Sequence, residues 1–140
     1  MTRICLDSNV IVAAFVARGL CSDLLRLVLS EYELVVPEIV VEEVTRVLTS
    51  KLKASQAAVS GAEAVLERCT IVPASDTPSP LSLRDSDDER VLADAISAGA
   101  EILVTGDQDL LVVAEDSPIR ILSPRAFLTL ARSSTPSDQL

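Results

Sequence analysis

Residues 85–111 read DSDDERVLADAISAGAEILVTGDQDLL, and this stretch decides the fold. Ser86 with Glu89 three residues on has the form of a capping box and opens a helix. The apolar stripe of that helix is Val91, Leu92, Ala95 and Ile96. Gly99 is placed to end it as a C′ glycine. Ile102–Thr105 then reads as a buried strand, Gly106 as a turn, and a short helix follows to about Val113. In open parallel sheets ligands bind beyond the carboxyl ends of the strands. Asp107 and Asp109 stand directly after such an end.

Working outward, Arg3–Leu6 is a short apolar strand followed by Asp7, Ser8 and Asn9, where Ser8 or Asn9 can cap a helix running to Ala17. A second helix runs from about Ser22 to Glu31. Leu34–Val36 is a strand ending at Pro37, which fits the first turn of a helix to about Leu52. Ser55 opens a helix to about Arg68, and Thr70–Val72 is a strand. Pro73, Pro78 and Pro80 make Pro73–Asp85 a loop. Ile119–Leu122 is the last strand, and Ser123 and Pro124 open a final helix to about Ala131. Strands alternating with helices predict a three-layer α/β/α sandwich with a mostly parallel sheet. Residues 1–132 are expected to form one domain and 133–140 a flexible tail.

The composition narrows the chemistry. Apolar residues make up 49% of the 140, which excludes a disordered chain, and the 2% of aromatics leaves Val, Leu, Ile and Ala to build the core. No apolar run reaches the roughly 18 residues needed to span a bilayer, and Asp7 breaks the N-terminal apolar run as no secretory signal would. A cytoplasmic protein is expected. Cys5, Cys21 and Cys69 lack metal-site spacing and read as reduced core residues. Histidine is absent, which removes His-based triads, Cys-His pairs and His zinc sites. A net charge of −9 argues against a broad electrostatic nucleic-acid platform. It is compatible with carboxylates gathered around cations, which invert the local charge.

Some acids sit where a purely structural acid is out of place. Asp88 lies three residues before Val91 and four before Leu92, on the inward stripe, where an ionised carboxylate is unfavourable unless paired or metal-bound. Its plain alternative is a charge at a helix N-terminus. Glu43 borders the stripe Val40, Val44, Val47 and Leu48, whereas Glu42 turns to solvent beside Glu38, Arg46 and Thr49. The plain alternative for Glu43 is a boundary residue reaching water. Asp7 interrupts the apolar run from Ile4 to Val16, unless it is simply a helix cap. Asp107 and Asp109 could equally cap a turn. Together these residues describe an oxygen-rich cluster of the kind that suits Mg²⁺ or Mn²⁺. Two such ions can clamp the attacking and leaving oxygens of a phosphodiester.

The segments DSNVIVAAF at Asp7, PEIVVEEVTRVL at Pro37 and DSDDERVLADAISAGAEILVTGDQDLL at Asp85 together resemble the PIN-domain family, and most of all its bacterial VapC-like toxins. The resemblance spans about residues 2–132. It implies a parallel α/β/α sandwich and a metal-dependent endoribonuclease using one or two Mg²⁺ or Mn²⁺ ions. It implies Asp7, Glu43, Asp88 and Asp107 as catalytic metal ligands with Asp109 assisting, and Ser8, Asn9 and Thr105 as residues that orient ligands or waters. It also implies an RNA substrate, a cognate antitoxin and a homodimer or higher homo-oligomer. Arg46, Lys51 and Lys53, read as one basic group on one helix, are the candidate RNA contacts, with a plain solvated helix end as the alternative. Two other functions compete: a catalytically silent PIN-like binding module, and a phosphatase with Asp7 as nucleophile. The latter normally wants a second acid two residues on, where Asn9 stands.

Overall fold

The computed structural model describes residues 1–133. Strands β1 (Arg3–Leu6), β2 (Glu33–Pro37), β3 (Thr70–Val72), β4 (Ile102–Val104) and β5 (Arg120–Leu122) form one sheet in the order β3-β2-β1-β4-β5. Every neighbouring pair is parallel. Helices α1 (Ser8–Val16), α2 (Leu20–Glu31), α3 (Glu38–Arg46), α4 (Gln56–Arg68), α5 (Ser86–Ser97), α6 (Gln108–Leu111) and α7 (Pro124–Ser133) pack around it, giving the expected layered α/β architecture. The central strands are apolar without alternation, and Ile4, Cys5, Leu6, Leu103 and Val104 are fully buried. Such runs are what a sheet covered on both faces requires. Phe127 is the largest fully buried side chain and meets Tyr32 edge-on at 5.6 Å. No helix among the described residues is long and apolar enough to cross a membrane.

The chain winds outward from β1 through β2 to β3, then returns to the other side of β1 for β4 and β5. The winding direction therefore reverses between β1 and β4, and a crevice forms at their carboxyl ends. The Asp7 N–H donates to the Val104 carbonyl at 2.9 Å, so the two strand ends are tied together at that crevice.

Several local expectations need correction. The cap of α1 is Asp7, whose Oδ1 accepts from the Ser8 N–H at 2.8 Å, and not Ser8 or Asn9. The capping box at α5 does not form. Asp85 is the cap and accepts from the Asp87 N–H at 2.8 Å, leaving the Glu89 carboxylate to take the Leu83 N–H at 3.0 Å. Pro37 ends β2 with extended backbone and stands before α3 rather than in its first turn. The single helix expected to Leu52 is two pieces, α3 and a π-helical turn at Val47–Lys51. The turn closes through Leu52 N–H to Val47 O and Ala54 N–H to Leu48 O, both 2.8 Å, around Lys53 at φ +47°. Arg46, Lys51 and Lys53 therefore do not share one helix. Only Cys5 is a core residue; Cys21 and Cys69 are half-buried, and all three thiols are free. Ser133 belongs to α7 rather than to a tail, and the rest of the tail, 134–140, lies outside the described residues. Gly99 behaves as expected, at φ +80° with Ala100 N–H reaching Ala95 O at 3.0 Å.

One buried group escaped the sequence reading. Asp94, on α5, is fully buried. Its Oδ1 accepts from Arg90 Nε at 3.1 Å, from Ser75 Oγ at 2.7 Å and from the Ser75 N–H at 3.2 Å. Arg90 also donates to the Thr77 carbonyl. The pair thereby pins the irregular 73–85 segment to α5. The signal was present as an arginine four residues before an acid, both on one helical face.

Candidate metal centre

Of the expected acids, Asp88, Asp107 and Asp109 converge near the crevice between β1 and β4 with Asp7 beside them, while Glu43 lies outside that trio. Asp7 is 4% exposed. Besides the Ser8 N–H, it accepts from Thr105 Oγ1 at 2.7 Å and from Asn9 Nδ2 at 3.3 Å, both at Oδ2. Thr105, itself fully buried, accepts in turn from the Asp107 N–H at 3.0 Å. Asn9 Oδ1 accepts from the Gly106 N–H at 2.9 Å. Asn9 and Thr105 thus form a brace that fixes Asp7 against the turn after β4. A side chain at position 106 would crowd this brace, because a Cβ there would sit 3.3 Å from Asn9 Oδ1. Ser8 is buried in the first turn of α1.

Asp107 caps α6, its Oδ1 accepting from the Asp109 N–H at 2.9 Å. Asp88, Asp107 and Asp109 each offer one carboxylate oxygen, and these three oxygens lie within 4.8 Å of one another. They come from α5, from the cap of α6 and from α6 itself. Glu43 stands on α3 beside α1. With Ser8, Asn9, Val12, Ala13, Val16, Val47 and Lys51 it lines a cleft of about 350 Å³. Glu43 is half-buried and Glu42 exposed, as their helical phases require. Of the expected basic residues, Lys51 faces the cleft, while Arg46 and Lys53 are exposed and do not line it.

The electrostatics record the crowding. Burial pushes the Asp7 carboxyl up. The bonds from Thr105 and Ser8 oppose that shift, and the negative charges of Glu43 and Asp107 add to it. Asp88 is pushed up to about 7, first by burial, then by a hydrogen bond shared with Asp107, then by the charges of Asp107, Asp85 and Asp7. Like charges gathered this closely disfavour the ionised form, which is why the Asp7 and Asp88 carboxyls are held up. A hard divalent ion fits this donor set, since three carboxylate oxygens from separate elements already converge.

Two further residues reach the site, and the sequence reading named neither. Asp85, the cap of α5, adds charge against Asp88. Arg84 donates from Nη2 to Asp109 Oδ1 at 2.8 Å. The nearby Cys5 thiol, fully buried, is pushed up by burial and then by the charges of Asp7 and Asp94, so it is no nucleophile at neutral pH.

Solved structures share the architecture. VapBC2 from Rickettsia felis, bound to a DNA fragment from their promoter, matches with TM-score 0.63 and 21% identity over 86% of this chain and 97% of that one. A Pyrobaculum aerophilum protein matches with TM-score 0.65 and 15% identity over 95% and 91%. A PilT N-terminus domain protein from Sulfolobus solfataricus matches with TM-score 0.60 and 14% identity over 91% and 92%. No curated protein matches the chain by sequence. At these identities the likeness speaks for the fold. The family comparison goes further: residues 3–109, which hold every acid described above, match the PIN domain, and the chain belongs to that family.

Proposed function

We propose that this chain is a divalent-metal-dependent endoribonuclease and the toxin of a toxin–antitoxin pair, acting in the cytoplasm. PIN domains are generally nucleases. The single observation that carries the reading here is the convergence of Asp88, Asp107 and Asp109 oxygens within 4.8 Å, beside a buried Asp7. Asp7, Asp88 and Asp107 hold the metal, Asp109 assists, and Glu43 contributes from the α3 side through the cleft it shares with Ser8 and Asn9. A bound Mg²⁺ or Mn²⁺, one ion or two, would supply Lewis-acid charge to a phosphodiester and make a water acidic enough to react.

The protein's own residues prepare that site. Thr105 and Asn9 hold Asp7 in one orientation, so its lone pairs face a fixed position. The same brace disfavours the phosphatase alternative. A nucleophilic Asp7 would want a second acid two residues on, and the residue there, Asn9, instead donates to Asp7 Oδ2 at 3.3 Å.

An antitoxin as partner is supported by the structural likeness to VapBC2 from Rickettsia felis, which was solved bound to a DNA fragment from their promoter. A homodimer is part of the same proposal. The test is cleavage of single-stranded RNA by the purified chain with Mn²⁺, with Mg²⁺ and with EDTA. Metal-dependent cutting that leaves 5′-phosphate and 3′-hydroxyl ends supports the reading. No cutting with either metal, together with no Mn²⁺ binding, would leave the silent module as the surviving alternative.

A further inference from the structure

The cluster of acids presents a difficulty for any polyanionic substrate. The chain has 12 Lys and Arg against 21 Asp and Glu. A cleft lined by one sign of charge repels ligands of the same sign. A bound cation relieves part of this at the reacting phosphate, but not at the phosphates flanking it.

Arg84 is placed to relieve the rest. It lies at the end of the 73–85 segment, one residue before the cap of α5. Its side chain is 86% exposed, and its described bond in the fold is the single Nη2 contact to Asp109 Oδ1 at 2.8 Å. A guanidinium carries five N–H donors in a planar fork, so this one contact leaves most of the fork unfilled. An exposed ion pair of this kind contributes little to stability. Structural need therefore does not explain a cation at that spot. Asp109 is also one of three acids whose oxygens converge within 4.8 Å, so a metal ion there competes with Arg84 for the same carboxylate. On the α3 side, Lys51 shares its cleft with Glu43.

Resting on the nuclease reading, we propose that Arg84 is a phosphate-binding residue: when a cation engages Asp109, the guanidinium leaves it and takes the substrate phosphate next to the scissile one. The fork matches two phosphate oxygens at once, which a lysine at the same place cannot do.

Two titrations on the full chain test this. Mn²⁺ binding is followed by electron paramagnetic resonance. Binding of a fluorescent single-stranded RNA oligonucleotide is followed by anisotropy in Ca²⁺ across a range of salt. Arg84→Gln is expected to weaken RNA binding about tenfold, as loss of a charge-assisted contact does. It should also lower the salt slope by about 0.7. Mn²⁺ affinity is expected to stay the same or tighten, because a competitor for Asp109 is gone. Arg84→Lys should restore part of the RNA affinity.

Unchanged RNA binding in Arg84→Gln, with wild-type protein binding both Mn²⁺ and RNA, overturns the Arg84 role and spares the nuclease reading. Loss of Mn²⁺ binding in that variant also overturns it, by showing that Arg84 merely props Asp109. Wild-type protein that binds neither Mn²⁺ nor RNA would sink both.

Discussion

Helix α5 carries two internal acids that make opposite arrangements. Asp94 is fully buried and has its own cation, Arg90, four residues earlier, with Ser75 filling the same oxygen. Asp88, less than two turns earlier on the same helix, has a cluster of acids around it, Asp107, Asp109, Asp85 and Asp7, and no ion pair of its own among the described residues. One carboxylate is neutralised from inside the chain, and the other is left for something outside it. Burial alone does not separate a structural acid from a functional one, since the structural one here is the more buried. What separates them is whether the fold supplies the counter-charge.

The contrast can be broken most sharply at the uncompensated end. Asp7→Asn should lower RNA cleavage by about 100-fold or more, because charge stabilisation by a metal is worth several kcal/mol at the transition state. Asn keeps the Oδ1 that accepts from Ser8 but sets a donor where Oδ2 accepts from Thr105 and Asn9, so a small fall in melting temperature is expected beside the much larger loss of cleavage. Cleavage close to wild type would break the assignment of Asp7 to the site.

At the compensated end the effect should appear in stability. Arg90→Ala leaves Asp94 buried and unpaired, which costs about 3 kcal/mol. For a chain of this size the melting temperature drops by about 10 °C. The double change Arg90→Met with Asp94→Leu should recover most of that loss, because an apolar pair of similar volume replaces the charges. A double variant no more stable than Arg90→Ala would show that the pair does more than neutralise itself.

The third test uses pH and metal together. Asp88 and Asp7 both have raised values in the folded state, Asp88 to about 7. A group raised above its unfolded value stabilises the fold below the unfolded value, and that contribution is lost as pH rises through the folded one. Metal-free protein should therefore lose stability between about pH 4 and pH 7. Mn²⁺ at 100 times its dissociation constant should add about 2.7 kcal/mol, and at one fixed Mn²⁺ concentration the gain should grow towards pH 7 as Asp88 loses its proton. A flat melting profile, unchanged by millimolar Mn²⁺, would contradict the converging acids. The smallest effect is at Glu42. Glu42→Gln should stay within about 0.5 kcal/mol of wild type and cleave normally, while Glu43→Gln should not. Equal behaviour of the two would erase the distinction drawn from helical phase.

Most of the architecture was legible because its signals are local. Apolar runs such as Ile4–Leu6 and Ile102–Val104, Gly99 after α5 and the prolines of 73–85 each speak for themselves. The acids of the site were legible for the same reason, since Asp88 and Glu43 could be assigned to faces by counting along one helix. What was not legible depends on contacts between distant segments. Asp94 has its hydroxyl partner at Ser75, 19 residues away, and Arg84 meets Asp109 25 residues on. No periodicity reports such meetings. The choice of caps also escaped, because Asp7 and Asp85 compete with Ser8 and Ser86 one residue later and only backbone geometry decides. The break of the expected long helix at Arg46 was similarly silent, as Val47–Lys51 contains neither Pro nor Gly.

The bond from Thr105 to Asp7 spans 98 residues, and this has a consequence for biosynthesis. On the ribosome β1, β2 and β3 emerge first and can pair, while the flank of β1 that β4 will occupy stays open. At that stage the nascent chain carries Asp7 and Glu43 but lacks Asp88, Asp107 and Asp109. The candidate metal site closes only when β4 slides in beside β1, late in translation. A truncated product of an interrupted message therefore contains half the fold and none of its proposed hazard to RNA.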